Sequence, residues 1–164
     1  MNQIAVITDT HFGARNDSRA VLDNQEKFYD EIFFPVLKER NIKYVLDLGD
    51  TFDKRKSIDF NTLDRAKRFY FDRLKAEGIQ VIAIVGNHTA YYEDTNSLHT
   101  LDHVLSDYDN VQVIHDIPKE IEIYGKSFLF LPWINVSNRD RAMEIVAESR
   151  GDILCSHLQL KGFV

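Results

Sequence analysis

The chain has 164 residues, a length that suits one domain and suffices to bury a real core. Apolar residues make up 44% and charged residues 28%, ordinary for a globular domain, and no apolar run approaches the roughly 18–20 residues that span a bilayer. A net charge of −6 argues against a broad basic face for nucleic acid, but not against an enzyme in which bound cations meet a phosphate. The N-terminus lacks a basic segment, and Thr8, Asp9 and Thr10 interrupt its apolar stretch, so it does not read as a signal peptide. A single cysteine, Cys155, excludes an internal disulfide framework. The expected compartment is the cytoplasm.

In chain order, the β-branched run Gln3–Ile7 predicts a buried strand. Phe28, Ile32, Phe33, Val36 and Leu37 lie at helical spacing within 24–40, where Pro35 is expected to kink or divide the helix. A second strand is predicted over 44–48, then a helix over 59–77 stopped by Gly78. A third strand over 80–85 follows. Asn96 or Ser97 is the expected cap of a short helix ending at Leu105. Segments 119–123 and 127–131 flank Tyr124-Gly125-Lys126 in a hairpin pattern, after a fourth strand over 111–114. A helix over 139–148 and a strand over 152–155 complete the series. This alternation predicts an α/β fold with a mostly parallel sheet flanked by helices, in one continuous domain. Ligands bind such sheets at the carboxyl ends of strands.

Chemistry-bearing residues fall at those ends. Asp9-Thr10-His11 follows the first strand and Gly49-Asp50-Thr51-Phe52-Asp53 the second. Gly86-Asn87-His88 follows the third and Ser156-His157 the last. Carboxylates suit Mn, Mg or Fe, and imidazole suits Mn, Fe or Zn. Asp50 has two oxygens and can bridge two ions, Asn87 offers a neutral oxygen, and His157 adds a ring nitrogen. Two metals roughly 3.5–4 Å apart clamp a phosphodiester and activate water. His88 is the candidate for leaving-group protonation or phosphate contact.

Asp9-x-His11, Gly49-Asp50-x-x-Asp53 and Gly86-Asn87-His88 resemble the first three motifs of calcineurin-like metallophosphoesterases. Ile7–Gly13, Leu48–Asp53, Pro132-Trp133 and Ser156–Phe163 resemble most the SbcD-type nuclease subunit of DNA repair and recombination complexes, including phage relatives. The resemblance implies Asp9, His11, Asp50, Asn87 and His157 as ligands of two divalent ions, with Asp50 bridging and manganese preferred. It implies His88 as the catalytic histidine. It further implies a DNA substrate cut as exonuclease and endonuclease, an SbcC-type coiled-coil ATPase partner, and a homodimer. Thr89 stands where an acidic residue is usual, and Ser156 where glycine is usual. The family's Gly-His-x-His motif is not found before Val164, so residues 1–164 read as the N-terminal part of a metallophosphoesterase domain. Weak or absent activity and an exposed sheet edge are expected of this chain alone.

Blander readings compete at several positions. Asp53 either serves the site or caps the next turn. Arg15, Lys54, Arg55 and Lys56 either meet DNA phosphates or form a solvated loop. Tyr91 and Tyr92 read first as surface or packing residues, with base stacking as the alternative. His99 and His103 read as solvated helix residues, His115 as a loop residue, and Cys155 as an inert buried thiol. Two functions compete with the nuclease. One is a phosphoesterase of small diesters or phosphoproteins, although Asp53-Lys54-Arg55-Lys56 lacks the glycine usual in the phosphatases. The other is a non-catalytic scaffold.

Overall fold

The structure, a computed structural model, describes residues 2–158. The part of the last motif from Gln159 to Phe163 lies outside them. Strand β1 (Ala5–Ile7) leads through a short segment, α1 (Ala14–Asp17), into α2 (Arg19–Phe28), a π turn at Tyr29–Phe33 and α3 (Phe34–Glu39). Strand β2 (Tyr44–Asp47) precedes α4 (Phe60–Ala66), a second π turn at Lys67–Phe71 and α5 (Asp72–Ala76). Strand β3 (Gln80–Ile84), helix α6 (Thr100–Leu105) and strand β4 (Val111–Ile114) follow. The hairpin β5 (Lys119–Ile123) and β6 (Lys126–Leu131), helix α7 (Arg139–Glu148) and strand β7 (Ile153–Ser156) end the described chain.

Strands β1-β2-β3-β4 form one parallel sheet in sequence order. Its strands alternate between two cores, as the period of two requires. Val45, Val81 and Ala83 face the helices, among Phe12, Leu37, Phe69, Tyr70 and Leu74. Leu46, Ile82, Ile84 and Ile114 face the other way and meet Ile123, Phe128, Phe130 and Cys155. Those last four belong to a second sheet, β5-β6-β7, antiparallel in its first pair and parallel in its second. The parallel sheet flanked by helices is as expected. A separate sheet covering its other face is an addition, and it explains why β2 and β3 read as unbroken apolar runs.

Several local expectations need revision. Pro35 neither divides the helix nor ends it. It sits in the first turn of α3, where a missing N–H costs nothing, just past a π turn closed by Phe34 N–H to the Tyr29 carbonyl. The second helix is capped as its sequence implies: Asp59 accepts the N–H groups of Asn61 and Thr62, and Gly78 takes φ +64 beyond its end. The hairpin turns on Tyr124 (φ 54) and Gly125 (φ 74), the left-handed pair of a two-residue loop.

His99 departs furthest. It is 5% exposed, and it caps α6 in place of Asn96 or Ser97, its Nδ1 accepting the Asp102 N–H at 3.2 Å. Its ring stacks on His115, centroids 4.9 Å apart. His103 stays exposed, as expected. Asn96 is buried and spends its amide on the Trp133 carbonyl instead, at 2.8 Å.

Burial, with help from His115 and against the pull of Asp102, lowers the His99 pKa from 6.5 to about 4. Between those values the unfolded chain binds the extra proton and the folded chain does not. Stability from this group is therefore complete above pH 6.5 and is lost as the pH falls toward 4. The melting temperature of His99→Asn, which keeps a cap and does not titrate, should fall less steeply over that window than that of the parent. Parallel thermal curves would show that the ring carries no such linkage.

Candidate functional site

The parallel register Ile7↔Asp47↔Ala83 brings the ends of β1, β2 and β3 level. The residues that follow therefore emerge along one edge. Backbone bonds tie the first two loops together: Asp9 N–H to Gly49 O (3.0 Å), His11 N–H to Asp50 O (2.9 Å) and Phe12 N–H to Thr51 O (2.9 Å). Asp9, His11 and Asp50 all adopt positive φ (53, 47 and 53). Such strain costs on the order of 1–3 kcal/mol per residue and collects at functional sites.

Asp50 lies at the centre, 2% exposed. Its Oδ1 accepts the His88 N–H at 2.8 Å. Its Oδ2 lies 3.2 Å from His157 Nε2 and 3.8 Å from His11 Nε2. Burial pushes its carboxyl up, but the bonds from His157 and the His88 N–H, with the charge of both rings, bring it below its ordinary value. His11 Nε2 also stands 3.6 Å from Asp9 Oδ1. On the far side, Asn87 Oδ1 lies 3.1 Å from His157 Nε2. Thus Asp9 and His11 reach Asp50 from one side, and Asn87 and His157 from the other.

Two histidines are oriented by backbone carbonyls. His157 Nδ1 is 2.8 Å from Leu48 O and His88 Nδ1 is 2.7 Å from Asp53 O. A carbonyl only accepts, so Nδ1 carries the proton in both rings and Nε2 faces the site. Burial lowers the His157 pKa, but the neighbouring Asp50 carboxylate more than offsets this and raises it. The His11 and His88 rings meet edge to face, 4.9 Å apart. Asp53 has a second role through its carboxylate, 3.1 Å from His11 Nδ1, although the geometry is not that of a hydrogen bond.

Two glycines admit this crowding. A Cβ on Gly86 would lie 2.3 Å from Asp50 Oδ1, and one on Gly49 2.8 Å from His157 Nδ1. Thr89, in place of the usual acid, is fully buried and closes the third loop, its hydroxyl 3.0 Å from both the Gly86 N and O.

The seven candidate residues therefore meet in one place. Asp9, His11 and Asp50 bring potential ligand atoms within 4.8 Å of one another, as do His11, Asp53 and His88. Carboxylate oxygens, an amide oxygen and imidazoles suit hard to borderline divalent cations. Lys54, the cation beside Asp53 in the chain, is bound by Asp17 (2.6 Å) and Asn16 (3.1 Å).

Sequence reasoning missed three supports. Asp47, inside β2, is 1% exposed; burial raises its carboxyl to about 7, opposed by a bond from Thr51. An acid in an apolar strand is the signal that was there to read. Gln25 Nε2 holds the Thr10 carbonyl at 2.6 Å from α2. Arg55 is 3.3 Å from the carbonyls of Ala90 and Tyr92 and lies over the Trp133 ring. Neither of these last two carries a sequence signal. No helix among the described residues is long and apolar enough to cross a membrane.

Comparison with known proteins agrees with this geometry. Exonuclease subunit 1 of Enterobacteria phage T4 is 29% identical over 126 residues, covering 77% of this chain and 37% of that protein. The chain thus spans little more than a third of its curated relative. Among solved structures, a protein of unknown function from Aquifex aeolicus has 22% identity and a TM-score of 0.46, covering 97% of this chain and 81% of its own. The Pseudomonas putida nuclease MPE has 21% identity and a TM-score of 0.47, with 77% and 52% covered. A dimetal phosphatase from Danio rerio has 16% identity and a TM-score of 0.45, with 77% and 42% covered. The profile of one family, calcineurin-like phosphoesterase, matches residues 3–162, nearly the whole sequence, and the chain belongs to that family.

Proposed function

We propose that this chain is the N-terminal part of a metal-dependent DNA nuclease, a phosphodiesterase working with two divalent ions, manganese foremost and magnesium or iron as alternatives. The observation that carries the reading is the convergence of donors from four strand ends on the two oxygens of Asp50. The nuclease assignment is supported by the phage relative, whose printed name is that of an exonuclease subunit.

Asp9 and His11 would hold one ion, Asn87 and His157 the other, and Asp50 would be shared. His11 also belongs to a group with Asp53 and His88, but its ring offers Nε2 to Asp9 and Asp50. The Asp53 and His88 side of the ring is better suited to orientation. When bound, the two ions would neutralise the phosphate and activate water for in-line attack. His88 keeps its Nδ1 proton on the Asp53 carbonyl, so protons come and go at Nε2. From there it would stabilise the phosphate or protonate the leaving oxygen. Asp53 positions both histidines, by carbonyl and by carboxylate.

The relative is named as a subunit, which supports a partner protein. An SbcC-type coiled-coil ATPase, a homodimer and a cytoplasmic location belong to the same reading.

Three outcomes test it. Calorimetry should show manganese binding that Asp50→Asn weakens by at least ~10-fold, in line with losing a shared carboxylate. Equal affinity in the variant would sink the centre as described. Gly86→Ala should weaken manganese as well and lower stability by about 1–3 kcal/mol, because its methyl displaces Asp50. Unchanged melting and binding would count against that crowding. A chain extended through a Gly-His-x-His segment should cut DNA with manganese, and His88→Ala should slow cleavage ~100-fold or more. Undiminished cutting would remove His88 from the mechanism.

A further inference from the structure

Two loops leave the centre side by side. One runs Asp53–Lys56 and the other His88–Tyr92. They are fastened at successive points: His88 Nδ1 to the Asp53 carbonyl, then Arg55 to the carbonyls of Ala90 and Tyr92. At the outer end the Lys56 ammonium lies over the Tyr91 ring, 5.3 Å from its centroid. Tyr91 and Tyr92 meet edge to face at 4.8 Å. Arg55 is itself held over Trp133, so the platform is braced from below.

This bracing matters because Tyr92 is not packed away. It is 49% exposed, at the tip of a loop pinned on both sides. Four residues separate it from His88, a span of at most about 14 Å. A strand rising ~3.4 Å per nucleotide covers that span in roughly four nucleotides. Beside the platform opens a cleft of about 300 Å³ lined by Lys56, Tyr91 and His103 among others.

Charge narrows the options. The chain carries a net −6, and Glu93 and Asp94 directly follow Tyr92. Of the basic residues near the second motif, Lys54 is bound by Asp17 and Arg55 by backbone and indole. Only Lys56 remains exposed in that run. Phosphate attraction is therefore weak on this side. An aromatic face binds without needing charge, and any unpaired base presents one.

We propose that Tyr92, supported by Tyr91 and Lys56, is a stacking platform for an unpaired nucleobase a few nucleotides from the scissile phosphate. The inference rests on the reading of the centre as a DNA phosphodiesterase and refines its substrate to single-stranded or frayed DNA. Tyr92 would contribute the stacking face, Tyr91 its backing and Lys56 one phosphate contact.

The test uses the full chain with manganese and a fluorescent single strand of about 12 nucleotides, within the range such grooves bind. A second strand carries abasic positions. Anisotropy should show Tyr92→Ala binding the intact strand at least ~5-fold more weakly, the low end for one stacked base. Tyr92→Phe should bind like the parent. On the abasic strand, the parent and Tyr92→Ala should bind alike. Lys56→Ala should reduce the slope of log affinity on log salt by about 0.7. Calorimetric manganese binding reads the centre separately. If Tyr92→Ala binds the intact strand as tightly as the parent, or loses as much on the abasic strand, the platform is wrong and the DNA reading stands. A parent chain that binds manganese but no strand overturns the DNA reading and the platform with it.

Discussion

One buried carboxylate organises this edge of the molecule. Asp50 touches His11, His157 and the His88 N–H through its two oxygens, while its own carbonyl accepts the His11 N–H. Each contact belongs to a different loop, so the four strand ends are not independent. Moving Asp50 would disturb all of them at once. The absence of a side chain at Gly86 is what lets the carboxylate sit there, 2.3 Å from where a methyl would be. The left-handed backbone at Asp9, His11 and Asp50 is tolerated because these interloop bonds hold it.

The histidines are set by main chain rather than by acids. Leu48 O and Asp53 O fix the Nδ1 proton of His157 and His88. A neutral carbonyl orients a ring without adding negative charge to a site already dense in carboxylates. That arrangement gives physical sense to Thr89. An acid at that position is not required to orient His88, because Asp53 already does so, and the threonine hydroxyl is free to close its own loop. The result is a rigid set of Nε2 atoms facing one small volume.

Much of this was legible before any coordinates. The candidate ligands sit just after apolar β-branched runs, and parallel sheets gather their ligands there. Asp59 and Gly78 mark their helix ends because caps are local chemistry. What escaped depends on distant partners. His99 looks like any helix histidine until His115 stacks on it and the cap position opens. Arg55 reads as loop charge until two carbonyls and an indole claim it. The separation into two sheets escaped because an alternating order of elements does not specify which strands share hydrogen bonds. Asp47 stood in plain view inside β2, but its burial depends on both layers that cover it.

The two π turns have a consequence for chain length. Each inserts one residue beyond the regular repeat, and they face one another across the helix layer, with Tyr29 and Tyr70 centroids 4.7 Å apart. One residue is worth about 100° of rotation in a helix of 3.6 residues per turn. Removing a single residue from Tyr29–Phe33 would leave a regular helix whose second half is turned by that angle, swinging Phe34 and Leu37 away from the core they fill. The surplus residue is thus a phase correction shared between two neighbours, and a deletion that a surface loop would absorb is here translated into misdirected aromatic rings.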